Sequence, residues 1–84
     1  MKLQIITLRD IKANMYNVPI FTPNIHATLR DLRDMVNDPS GKEAWQKHPE
    51  DFELWHIGEW ETENAEMDLP APKQLLALST LKAN

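Results

Sequence analysis

The side chains with chemistry to offer in this 84-residue chain are cations and aromatics, not nucleophiles. There is no cysteine, and the two serines, Ser40 and Ser79, lie outside any G-x-S-x-G turn. Two glycines, Gly41 and Gly58, cannot build a loop that cradles phosphates. His26, His48 and His56 show neither H-x-x-x-H nor H-E-x-x-H spacing, so no metal centre is expected. Carboxylates are plentiful, but an acid–base pair needs a cleft that so short a chain rarely forms alone. The expectation is a protein with no catalytic activity, no metal and no cofactor.

The cations cluster by helical geometry. At 100° per residue, His26, Arg30 and Arg33 fall between roughly 80° and 140° from Ile25, beside an apolar stripe, while Asp31 and Asp34 fall further round. An ordinary solvated surface is one reading, with Arg30 and Asp34 as an i,i+4 pair worth about 0.2–0.5 kcal/mol. The other reading adds Arg9, Lys12 and Tyr16 from the N-terminal segment. Cations along a phosphate backbone and an aromatic ring for a stacked base are what binding to a single strand uses. On this reading Arg9, Lys12, Arg30 and Arg33 contact phosphates, Tyr16 stacks, and His26 strengthens binding at lower pH.

The net charge of −4 is unevenly spread. Residues 1–42 carry six basic and four acidic side chains, whereas residues 43–84 carry three and nine. All nine of those acids lie between Glu43 and Asp68. They are either a solvated loop and strand face or a surface for a basic partner. In the second case Trp45, Glu59, Trp60, Glu61 and Glu63 are the candidate contacts, since tryptophan is favoured at interface hot spots. An acidic row of this kind also mimics the phosphates of DNA and would engage a DNA-handling protein.

The elements that must position these groups follow from pattern. Residues 2–9 (KLQIITLR) are aliphatic and β-branched on both faces, which predicts a central strand. Tyr16 to Phe21 predicts a weaker strand, held to an edge by Pro19. Thr22-Pro23-Asn24 starts a helix whose stripe is Ile25, Leu29, Leu32, Met35 and Val36, and Asp38-Pro39-Ser40-Gly41 stops it near Asn37. Residues 40–51 predict a loop or a short helical turn around Glu43 to Gln46. Phe52 to Glu61 predicts a second long strand, with Phe52, Leu54, His56 and Trp60 on one side and Trp55 and Ile57 on the other. Glu66 to Leu69 predicts a short antiparallel return, and Lys73 to Lys82 a short helix. The class is α+β: a single domain over residues 1–84 with a small, mainly antiparallel sheet in β-β-α-β-β-α order. No sequence repeat is visible.

Small chains without disulfides or metals need another source of stability, so self-association as a dimer or higher oligomer is expected. The longest apolar run is Leu75-Leu76-Ala77-Leu78, far short of the ~20 residues a membrane helix requires. The opening MKLQIITLRD meets Arg9-Asp10 too early for a secretory signal. No membrane association is expected.

A series of short segments also carries a resemblance. They are the opening M-K-L strand, D-x-K-A at Asp10 to Ala13, P-x-F at Pro19 to Phe21 and V-N-D-P at Val36 to Pro39. H-P-E-D-F-x-L follows at His48 to Leu54, then I-G-E at Ile57 to Glu59. In this order they resemble the small non-structural protein of gokushoviruses, single-stranded DNA phages of the microvirus group. The resemblance implies a DNA-binding protein made in the host bacterial cytoplasm, acting in replication or production of the single-stranded genome. The acidic alternative would then engage a host or phage replication protein.

Overall fold

The computed structural model describes residues 1–83. In chain order the elements are β1 (Lys2–Asp10), β2 (Met15–Tyr16), β3 (Ile20–Thr22), α1 (Ile25–Val36) and α2 (Ala44–Lys47). Then come β4 (Phe52–Glu61), β5 (Met67–Asp68) and β6 (Lys73–Ala77). Short 3₁₀ turns at Pro49–Asp51 and Leu78–Leu81 lead into β4 and follow β6. The six strands form one antiparallel sheet, so the expected α+β class is what the chain adopts.

β1 and β4 pair along their whole length at the centre, Lys2 opposite Glu61 and Asp10 opposite Phe52. Each long strand turns back into two short ones on its outer edge: β2 and β3 on β1, β5 and β6 on β4. Proline explains both interruptions. Pro19 falls between β2 and β3, and Pro70 and Pro72 between β5 and β6, where a residue with no N–H cannot continue a ladder. The two hairpins match in detail. Arg9 pairs with Tyr16 and Trp60 with Met67, seven residues apart in each case. The left-handed residues, Asn14 (φ 54°) and Ala65 (φ 61°), each sit four residues beyond the last residue of the long strand. The sheet therefore repeats one three-strand unit although the sequence shows no repeat.

α1 forms where expected. The Asn24 side chain caps it, accepting from the backbone N–H of His26 (2.9 Å) and Ala27 (3.3 Å). Its stripe buries Leu32 and Val36 against Ile6, Phe52, Leu54, Leu78 and Leu81, with Leu8, Ile25, Leu29, Trp45 and Leu76 packed at the margin. Met35 lies at the edge of the stripe and stays 42% exposed. α2 is the anticipated turn, closed by a capping box between Glu43 and Gln46.

Besides the single strand expected from Tyr16 to Phe21, which is instead split into β2 and β3 at Pro19, two expectations need correction. Lys73 to Lys82 is not one helix: residues 73–77 pair with β4, and only Leu78–Leu81 turns helically. The outer edge of β4 leaves N–H and C=O groups that a strand satisfies and a helix would not. Leu78 and Leu81, three apart, suit the tighter turn and are both buried. The second correction concerns the faces of β4. Ile5 lies opposite Gly58 but Ile6 lies opposite His56, so Ile57 is an extra, bulged residue. The bulge moves Trp60 to the side of Trp55, away from Phe52, Leu54 and His56.

Gly58 sits in this bulge for a steric reason. A Cβ there would run into the Asp68 backbone carbonyl and come within 2.9 Å of Leu69 Cδ2. Gly58→Ala is predicted to prise β5 from β4, speeding amide hydrogen exchange at Glu61 and Asp68 and lowering the melting temperature. Unaltered protection at those amides would refute the close approach.

Candidate nucleic-acid interface

Strand alternation divides β1 cleanly. Ile6 and Leu8 point to the helices, so Leu3, Ile5, Thr7 and Arg9 point to the opposite face. Their cross-strand partners share that face: Trp60 opposite Leu3, Phe21 opposite Ile5, Trp55 opposite Thr7, Tyr16 opposite Arg9. Among the described residues no helix covers it. Four of the chain's six aromatic side chains thus gather on one open sheet face.

They meet as two edge-to-face pairs. Tyr16 and Trp55 have ring centroids 5.5 Å apart at 87°, and Phe21 and Trp60 are 6.0 Å apart at 82°. Tyr16 and Phe21 are 44% and 46% exposed, and the tryptophans are half-buried. Ile5 and Thr7 lie buried beneath them, and the Thr7 hydroxyl donates to the Asn17 carbonyl at 2.6 Å. Between Leu3 and Thr7 the strand rises about 13 Å, which sets the spacing of the two pairs.

A polar network fixes the first pair. The Arg9 guanidinium lies 5.8 Å from the Tyr16 ring centre, donates to Asn14 Oδ1 (2.7 Å) and reaches Glu53 Oε1 (3.4 Å). Trp55 Nε1 donates to the same Glu53 oxygen at 3.2 Å. Glu53 therefore orients a cation and an indole together. Asn14 reaches Arg9 from a left-handed turn position that asparagine tolerates better than most residues.

The sequence-predicted site divides over this framework. Arg9 and Tyr16 come together on the open face, and Lys12 lies exposed in the adjoining turn. His26, Arg30 and Arg33 are exposed on α1, on the other side of the sheet. Arg30 Nε contacts Asp31 Oδ1 at 3.5 Å, in place of the i,i+4 pair with Asp34.

Of the acidic alternative's residues, Glu59 and Glu61 lie on the same side of β4 with Glu63 beside Glu61, whereas Trp45 and Trp60 lie apart from them. Trp45 packs at the core margin from α2, and Trp60 belongs to the aromatic face. Glu59 accepts from Gln4 Nε2 (3.1 Å) on the helix side of the sheet, beyond the helices, and His56 Nε2 bonds the Gln4 oxygen at 2.8 Å. Glu61 takes the N-terminal ammonium at 2.7 Å, with Glu63 3.9 Å from it. Among the described residues no three His, Cys, Asp or Glu side chains converge as metal ligands, and no helix is long and apolar enough to cross a membrane.

Phe21, Glu53 and Asn14 were not anticipated as members of a site. One signal was available: a glycine inside a strand pattern marks a bulge, and a bulge at Gly58 is what brings Trp60 round to Trp55.

A model of the phage ORF5 protein family matches residues 3–81. The chain belongs to this family. It is thus a bacteriophage protein, and the matched span contains the aromatic face and every strand of the sheet except Lys2. No curated protein and no solved structure matches the chain.

The N-terminal ammonium, aided by the Glu63 backbone N–H, holds the Glu61 carboxyl below its ordinary value of 4.5. A carboxyl lowered by folding stabilises above its unfolded pKa, and that contribution disappears as pH falls through the folded value. Glu61→Gln is therefore predicted to melt lower than the native chain at pH 7, with the gap closing below pH 4.5. A gap that stays constant into acid would contradict the bridge.

Proposed function

We propose that this phage protein binds single-stranded DNA across the open sheet face, as a non-enzymatic factor in the host cytoplasm. The observation that carries the reading is the coincidence of two aromatic pairs and Arg9 on one uncovered face. Stacking on aromatic rings needs a base whose flat side is accessible, which a single strand offers and a duplex hides within its stack. Tyr16 and Phe21, the more exposed member of each pair, take the bases. Trp55 and Trp60 hold them edge-on.

Phosphates fall to the surrounding cations. Arg9 already has two oxygen partners on the face, so Lys12 in the adjoining turn is the nearer flexible contact. His26, Arg30 and Arg33 serve a strand that continues over the sheet edge toward α1. Association of several copies along one strand multiplies a modest affinity through effective concentration.

Titration of a fluorescent oligothymidylate, followed by anisotropy, tests this. Tyr16→Ala and Phe21→Ala are each expected to cost about 1–3 kcal/mol, or about 5- to 150-fold in affinity, with the salt slope nearly unchanged. Arg30→Ala with Arg33→Ala is expected to lower the slope of log affinity against log salt by about 0.7 for each contact removed. Native affinity in both aromatic variants would overturn the proposal.

A further inference from the structure

We infer that the open face seats two bases that are not neighbours in the strand, one on each aromatic pair, and so selects strands whose bases stack weakly on one another. Thymine-rich strands are then its ligands, and adenine-rich strands are disfavoured. The inference rests on the reading of this face as the DNA site and adds what that site selects.

The geometry within each pair limits it to one base. Bases that follow one another in a stacked strand are parallel and about 3.4 Å apart. The rings of one pair stand at 87° to each other and those of the second at 82°. Rings so crossed cannot receive two parallel neighbours.

The distance between the pairs keeps the two seated bases apart. Trp60 and Trp55 stand opposite Leu3 and Thr7, and Phe21 and Tyr16 opposite Ile5 and Arg9. Each row spans four residues of β1, about 13 Å, or nearly four times the rise between stacked bases. One drawn-out sugar–phosphate repeat falls short of that distance, so at least one nucleotide lies between the two seats. No ring fills the gap. Its floor is Ile5 and Thr7, 3% and 5% exposed, with Gly58 opposite Ile5. The chain's other two rings, Trp45 and Phe52, pack on the helix side.

Charge leaves the selection to stacking. Among the described residues of the strand ladders, this face carries one cation and one anion, Arg9 and Glu53, and they lie 3.4 Å apart. A self-stacked strand finds no free charge between the pairs to offset the loss of its own stacking. Seating a base on Tyr16 or Phe21 first parts it from its neighbours. Adenines, which stack strongly on each other, lose more by this than thymines, and sequence preference on stacking platforms arises from such differences.

Two comparisons on the native chain, both followed by tryptophan fluorescence, test the inference. Oligothymidylate is expected to bind about fivefold or more tighter than oligoadenylate of equal length. The second comparison uses abasic strands that carry two thymines. Thymines separated by one or two abasic residues are expected to bind about fivefold or more tighter than adjacent ones. Tyr16→Ala and Phe21→Ala are each expected to abolish the advantage of separation, with the fold intact by circular dichroism. Equal affinity for the two homopolymers, or for separated and adjacent thymines, would overturn the inference; weakened binding by the aromatic variants would still uphold the face as the DNA site. Native affinity in both variants, or no binding of any strand, would overturn that reading and the inference with it.

Discussion

The antiparallel pairing of β1 with β4 is the constraint from which the rest of the molecule follows. Nine residues of one strand lie against ten of the other, and the mismatch is taken up at Ile57. On one side of that bulge Ile6 and Leu54, each 1% exposed, anchor the core beneath α1. Burying a side chain of this size contributes about 1.5–3 kcal/mol. On the other side the extra residue rotates Trp60 onto the open face. Without the bulge Trp60 would point with His56, and Phe21 would lose its partner.

The two faces of the sheet consequently serve different ends. The helix side stores the hydrophobic stabilisation: α1, α2 and the Leu78–Leu81 turn close over Ile6, Phe52 and Leu54. The opposite side is left to its own side chains, which is why aromatics occupy it. Rings in edge-to-face contact shield Ile5 and Thr7 without a covering helix. The same rings, accessible on their outer flanks, are what a stacked base requires. Arg9 and Glu53 hold opposite charges together there, so this face is closer to neutral than the acidic total suggests.

Local signals carried much of this architecture. The Asn24 cap, the Asp38-Pro39 stop, Pro19 and the 2–9 and 52–61 runs each announce their element through chemistry confined to a few neighbours. What escaped prediction depends on distant partners. Lys73 to Ala77 has leucine spacing compatible with a helix and becomes a strand because β4 offers an unpaired edge. The site was legible in half: Arg9 and Tyr16 are cross-strand neighbours, as their chemistry suggested. Phe21, Trp55 and Trp60 join them only once register is known, and register is a long-range property. His26, Arg30 and Arg33 do share a helix edge, but their separation from Tyr16 is decided by which sheet face α1 covers.

The central claim is that nucleic acid meets the aromatic side of the sheet. Its most direct test is a two-dimensional NMR titration of the native chain with a short oligothymidylate, following the tryptophan indole and backbone amide signals. The account predicts the largest shifts at the Trp55 and Trp60 indoles and at the Tyr16 and Phe21 amides, with Leu32 and Val36 in the core unmoved. Shifts confined to His26, Arg30 and Arg33, with the indole signals of Trp55 and Trp60 unchanged, would contradict it.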